Sequence, residues 1–114
     1  MTRQLSEVVA GAEIKRSVKE SEILATCREL LRLHGWFVVR FQQGLGCHKG
    51  LSDLAALKAG KVLWIEIKTS KGRLSRHQQQ FRCDIMRHGG TYLVIDNPDD
   101  LEAALQWLEQ EVAS

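Results

Sequence analysis

The stretch Gly50-Leu51-Ser52-Asp53-Leu54-Ala55-Ala56-Leu57-Lys58-Ala59-Gly60-Lys61-Val62-Leu63-Trp64-Ile65-Glu66-Ile67-Lys68-Thr69 decides the fold. Two apolar runs, 52–57 and 62–69, are rich in residues that suit a sheet. The Gly-containing turn Lys58-Ala59-Gly60-Lys61 separates them, so the pattern predicts a β-hairpin. A tight turn sets Leu57 opposite Val62, and counting back sets Asp53 opposite Glu66. Directly opposed side chains leave one face of a sheet with Cβ atoms about 4.5–5.5 Å apart. Lys68 lies two residues beyond Glu66 and leaves the same face. Two carboxylates and a lysine are thus expected to converge at the end of a mainly apolar hairpin.

Such a cluster is costly. Two like charges about 4 Å apart repel by roughly 4 kcal/mol at an effective dielectric near 20. A cation or a shared proton has to offset the repulsion. Hard oxygen ligands at this spacing suit Mg²⁺ or Mn²⁺, bound together with water and substrate phosphate oxygens. Such an ion polarises a phosphoryl group and lowers the pKa of a bound water, and the adjacent lysine can position that water or offset charge on the phosphate. The plainer alternative is an Asp at the start of a strand and a Glu/Lys pair alternating on a solvated sheet face. A one-residue slip in register would separate the groups.

Outward from the hairpin, Ile23, Cys27, Leu30 and Leu31 recur at helical spacing from Ser17 onward and stop at Gly35. Residues 36–41 are aromatic and β-branched and read as a strand, and 42–50 form a glycine-rich loop leading into the site. Ser75 is placed to cap a helix running to Arg87 and ending at Gly89-Gly90. Residues 91–96 read as a strand, and Asn97-Pro98-Asp99-Asp100 as a helix start. The stripe Leu101, Leu105, Leu108 and Val112 marks core or partner interface. The predicted order is α-β-β-β-α-β-α, an α/β sandwich around a small mixed sheet. Residues 1–16 are poorly patterned and read as an arm of uncertain order before a single domain spanning 17–114.

Four segments resemble the stand-alone virus-type replication-repair nuclease (VRR-NUC) domain of the PD-(D/E)XK nuclease superfamily. They are Glu20-Ser21-Glu22-Ile23, Gly50-Leu51-Ser52-Asp53-Leu54, Trp64-Ile65-Glu66-Ile67-Lys68, and Lys71-Gly72-Arg73-Leu74-Ser75 running into Gln78. Ser52 stands where the superfamily signature often has Pro. The Gly-x-Ser-Asp and Leu-Ser-x-x-Gln elements single out this branch, and together the segments cover roughly residues 20–96.

The resemblance implies a restriction-endonuclease-like fold. It assigns Asp53 and Glu66 as metal ligands completed by the Ile67 carbonyl, Lys68 as the catalytic lysine, and Gln78 as the supporting glutamine of the next helix. It also implies a glutamate of the first helix near the metal. Glu22 is the choice from its place before Ile23, with Glu20 instead closing a capping box with Ser17. DNA contact is assigned to Lys49, His48, Arg40, Lys71 and Arg73.

Composition is compatible with this reading. The chain has 114 residues, 44% hydrophobic and 26% charged, ordinary for one globular domain. Net charge is only +2, yet between residues 68 and 88 Lys68, Lys71, Arg73, Arg76, Arg82 and Arg87 meet a single carboxylate, Asp84. A basic segment beside a carboxylate cluster suits a phosphodiester substrate, with Lys71 and Arg73 the better DNA contacts and a solvated helix face the better account of Arg82 and Arg87. Cys27, Cys47 and Cys83 are an odd count without a C-x-x-C pair, which argues against a disulfide or zinc scaffold. His34, His77 and His88 read as structural or surface residues. No membrane span or signal peptide is evident, so an intracellular, cytoplasmic chain is expected.

The leading expectation is a Mg²⁺- or Mn²⁺-dependent DNA endonuclease. The resemblance adds branched DNA as substrate, in the manner of a Holliday-junction resolvase, action in DNA repair, a homodimer that supplies two active sites, and a phage or mobile-element origin. The alternatives are a restriction- or transposase-like endonuclease on linear duplex, or a DNA-binding module with a vestigial nuclease site.

Overall fold

The computed structural model describes residues 19–113, so the arm expected over 1–16 lies outside the described residues, as do 17, 18 and 114. The element order is α1 (Glu20–Leu33), β1 (Phe37–Arg40), β2 (Leu54–Lys58), β3 (Lys61–Ile67), α2 (Arg76–Arg87), β4 (Thr91–Ile95) and α3 (Pro98–Ala113), the order read from the sequence. The strands form one sheet in the order β1-β2-β3-β4, antiparallel except for the parallel β3–β4 pair.

The hairpin turn closes as the sequence requires. Lys58 pairs with Lys61, leaving a two-residue loop in which Ala59 and Gly60 both have positive φ, 51° and 80°. That is the primed turn whose twist matches antiparallel strands. Leu57 pairs with Val62 and Leu54 with Ile65, so continuing the ladder by one residue brings Asp53 opposite Glu66.

Alternation along β3 sorts side chains onto two faces. Leu63, Ile65 and Ile67 bury into one core with Ile23, Cys27 and Leu31 of α1 and Leu101, Leu105 and Leu108 of α3. Each fully buried leucine or isoleucine here contributes about 1.5–3 kcal/mol relative to exposure. Three members of the predicted α3 stripe are thus core; the side chain of Val112 lies outside the described residues. Trp64 and Glu66 take the opposite face, against α2. On that face Phe37, Leu57 and Val62, from the far side of the sheet, remain exposed.

The helix caps follow the sequence with one correction. Ser75 accepts the Gln78 N–H at 3.2 Å, and Asn97 Oδ1 accepts the Asp99 N–H at 2.9 Å. At α1 the cap residue is Lys19, and Glu22, not Glu20, reaches back to accept its N–H at 3.3 Å. Glu20 sits at the first helical position, too early for that reciprocal bond, and Ser17 is outside the described residues.

α1 and α3 are also clamped by charge. The ring nitrogens of His34, the C-cap of α1, face Glu109 at 2.9 Å and Glu102 at 3.0 Å, both on α3. Lys58 joins Glu109 at 3.3 Å and donates to the His34 carbonyl. The bond to Glu109 is the main force raising the His34 pKa above the ordinary 6.5, and the same bond holds Glu109 below 4.5. A raised imidazole stabilises the fold fully below the unfolded pKa and loses that contribution as pH rises through the folded value. A lowered carboxylate contributes above its unfolded pKa and loses it on acidification through the folded value. The clamp is therefore strongest between about pH 4.5 and 6.5. The melting-temperature deficit of His34→Gln relative to wild type should be largest near pH 5–6 and shrink by pH 8–9; a deficit independent of pH would show the clamp is not ionic.

Candidate active site

Glu66 is a carboxylate inside the protein, only 2% exposed. Burial alone disfavours its charged form, and the neighbouring Asp53 charge adds to this, so its pKa is pushed up to about 8 against the partial relief of Lys68. Three groups hold it in place. The Gln78 amide donates to Oε2 at 3.0 Å, the Lys68 ammonium lies 3.6 Å from the same oxygen, and Asp53 stands opposite across the hairpin, close enough for its charge to act on the carboxylate. Oε1 is buried with no hydrogen-bond partner among the described residues.

Each partner is positioned by local structure. Asp53 Oδ2 accepts the Ile67 N–H at 2.8 Å, which fixes the start of β2 to the end of β3. Gln78 is the third residue of α2, and its Oε1 accepts the Ser75 N–H at 2.8 Å while its Nε2 reaches Glu66. One side chain thus closes the capping box and anchors the carboxylate, which explains physically why Ser75 and Gln78 belong at this spacing. Gly50 is required by contact. Its φ is +80°, and a Cβ there would stand 2.0 Å from the His77 carbonyl oxygen, so only glycine lets the 42–52 loop lie against the first turn of α2. Ser52 is fully buried and donates to the Leu54 carbonyl at 3.0 Å, keeping the bend before Asp53.

A recess of about 170 Å³ opens beside Asp53 and Ile67, lined also by Glu20, Ser21, Leu24 and Arg40. The glutamate of α1 that reaches it is Glu20; Glu22, assigned from the sequence, is on the cap of the helix instead. Arg40 is beside the carboxylates at this recess. Lys49, Lys71 and Arg73 are exposed, and His48 packs against Phe81 with ring centroids 5.4 Å apart, away from the recess.

Two residues escaped sequence reasoning. Gln43 donates to the Leu51 carbonyl at 2.6 Å and ties down the loop before Asp53, a role with no sequence signal. Tyr92, on β4 beside Trp64, carries a buried hydroxyl without a partner among the described residues, and its pKa is raised by burial and then by the charges of Glu66 and Asp53.

The donor set fits a hard divalent cation. It consists of oxygen atoms, it includes a buried carboxylate oxygen lacking any donor, and its two carboxylates repel one another without a cation. Among the described residues no group of three His, Cys, Asp or Glu is arranged to hold a metal, so backbone and water oxygens would complete the shell.

No family model and no curated protein matches the chain. Among solved structures, one described as a VRR_NUC domain superposes with a TM-score of 0.67 at 16% identity, over 79% of this chain and 97% of its own. The fold is thus that of a VRR-NUC domain.

Removing the Gln78 amide should leave the fold intact and loosen the carboxylate. Gln78→Ala is expected to weaken Mn²⁺ binding by about 10–100-fold in calorimetric titration, and unchanged affinity would remove Gln78 from the site. Tyr92→Phe deletes an unsatisfied buried hydroxyl and should raise stability by about 1 kcal/mol in denaturant unfolding. A loss of stability would mean that the hydroxyl is bonded.

Proposed function

We propose that the chain is a metal-dependent DNA endonuclease that hydrolyses phosphodiester bonds, with branched DNA as its preferred substrate. The observation that carries this reading is the buried Glu66 carboxylate, held by Gln78 and Lys68 beside Asp53, with one oxygen left without a partner. A fold gains no stability from that arrangement, because burying a carboxyl group costs free energy unless its oxygens find partners. The likeness to a VRR_NUC domain supports the same reading at the level of fold.

Asp53, Glu66 and the Ile67 carbonyl would hold Mg²⁺ or Mn²⁺, with Glu20 rather than Glu22 as the helix glutamate facing the recess. When bound, such an ion polarises the phosphate and acidifies a water. The protein's own groups do the rest. Asp53, tied to the Ile67 amide, and Glu66, tied to Gln78, fix the two carboxylates so that little reorganisation is needed. Lys68, half-buried and adjacent to Glu66, presents a positive charge where negative charge builds on the phosphate, and can hold the attacking water by hydrogen bonding. Arg40 at the recess and the exposed Lys49, Lys71 and Arg73 offset phosphate charge along the strand.

Paired cuts across a junction require two sites, which one domain supplies only by pairing with a second copy. The exposed apolar strip of Phe37, Leu57 and Val62 supports such pairing, since burial would remove it from water.

The test is cleavage of a labelled four-way junction and of linear duplex of the same sequence in Mg²⁺ and Mn²⁺. Wild type should cut the junction selectively, sediment as a dimer, and lose activity by at least roughly 10²–10³-fold in Asp53→Ala. Equal cutting of linear duplex would discard junction selectivity, a monomer that cuts would discard pairing, and metal-independent cutting or none would discard the site.

A further inference from the structure

The sheet face that carries Glu66 continues, two residues back along β3, into an aromatic surface that the nuclease reading leaves without a role. Trp64 is half-buried there, Phe81 of α2 meets it edge-on at 5.6 Å, and His48 tilts over Phe81 at 5.4 Å. Beside them lies an open groove of about 330 Å³, lined also by Ile85, Asp84 and His88. Clefts of about 300–1,000 Å³ accommodate small ligands.

Three features of the groove select a ligand. Its walls are flat rings and an aliphatic side chain, which suit a planar heteroaromatic group. Part of its lining is polar. Asp84 Oδ1 takes Gln80 and Arg87, while its second oxygen has no partner among the described residues. His88 Nδ1–H donates to the Asp84 carbonyl at 2.7 Å, and in that tautomer Nε2 is the ring's acceptor. Finally, two exposed cations, Lys49 and Arg82, directly follow the lining residues His48 and Phe81 in the chain. A flat ring bearing hydrogen-bond donors on one edge and an anionic backbone on the other side matches all three.

We propose that this groove binds one unpaired nucleobase of the DNA strand being cut, laid against the wall that Trp64, Phe81 and His48 form, with a preference for bases that carry an exocyclic amino group. The proposal rests on the nuclease reading for its ligand, and deepens it: the groove and Glu66 share one sheet face, so a strand whose phosphate sits at Asp53 and Glu66 delivers a neighbouring base to the groove. Fully paired duplex must unstack that base first, at a cost of a few kcal/mol. A junction or a flap offers it at lower cost, which gives the site a physical basis for choosing branched DNA. Gly50 is part of the device, because its close approach to His77 is what holds the loop bearing His48 against α2.

The experiment places a single abasic nucleotide at each position flanking the cut in turn. It reads kcat/KM with wild type in Mn²⁺, and Kd with Asp53→Ala. One position should lose roughly ten- to hundredfold in both, the range of one lost base–aromatic stack, while the others stay within twofold. Ile85→Trp fills the groove and should impose the same loss on intact DNA, with no further loss on DNA abasic at that position. His88→Leu, an exposed change that spares the fold, should abolish the preference for adenine, cytosine or guanine over thymine there. Uniform Kd across all abasic positions, or additive losses in Ile85→Trp, would overturn the groove assignment. Absence of cutting together with a position-specific Kd penalty would overturn the nuclease reading and leave the groove standing.

Discussion

The structure turns on a carboxylate that is kept out of water. Glu66 lies at the end of the most buried strand, next to a second carboxylate, and one of its oxygens has no donor among the described residues. Its neighbours are organised around that liability. The α2 cap supplies Gln78, the next strand position supplies Lys68, and the start of β2 is tied to the Ile67 amide through Asp53. A purely structural solution would put an apolar residue at position 66, as a well-packed hydrophobic group is often no less stable than a buried charge.

Packing divides the labour between the two faces of the sheet. The face covered by α1 and α3 supplies stability through Leu63, Ile65, Ile67 and the helix leucines, and is closed by the His34 clamp. The opposite face is covered only in part by α2 and presents Glu66 at one end, the aromatic groove in the middle, and an apolar strip at the far side. Under the proposed function, a rigid, filled layer beneath an open one would hold reacting groups in place and leave room for a polymeric substrate.

Much of the architecture was legible from the hairpin alone. The Ala59-Gly60 turn fixes the register, and register arithmetic then sets Asp53 opposite Glu66 with Lys68 on the same face. The helix-cap residues Ser75 and Asn97 were equally legible, because capping is a local interaction. The choice between Glu20 and Glu22 was not. Both lie in the first turn of α1, and which one meets the recess depends on where the cap falls and how the helix is rotated against the sheet. The sequence named Arg40 for DNA contact without showing that it lines the same recess as Asp53, and gave no hint that His48 rests on Phe81.

The sequence by itself determined the order of elements, the hairpin register and the pairing of Asp53 with Glu66, because these follow from the period of a strand and the chemistry of a two-residue turn. It also determined that Gln78 would start a helix. Only the tertiary structure decided that this helix would lay Gln78 on Glu66, bury that carboxylate, and open a groove beside Trp64, Phe81 and His48. Those outcomes depend on contacts between residues distant in the chain, whose energies reside in the packing of whole elements and leave no periodic trace in the sequence.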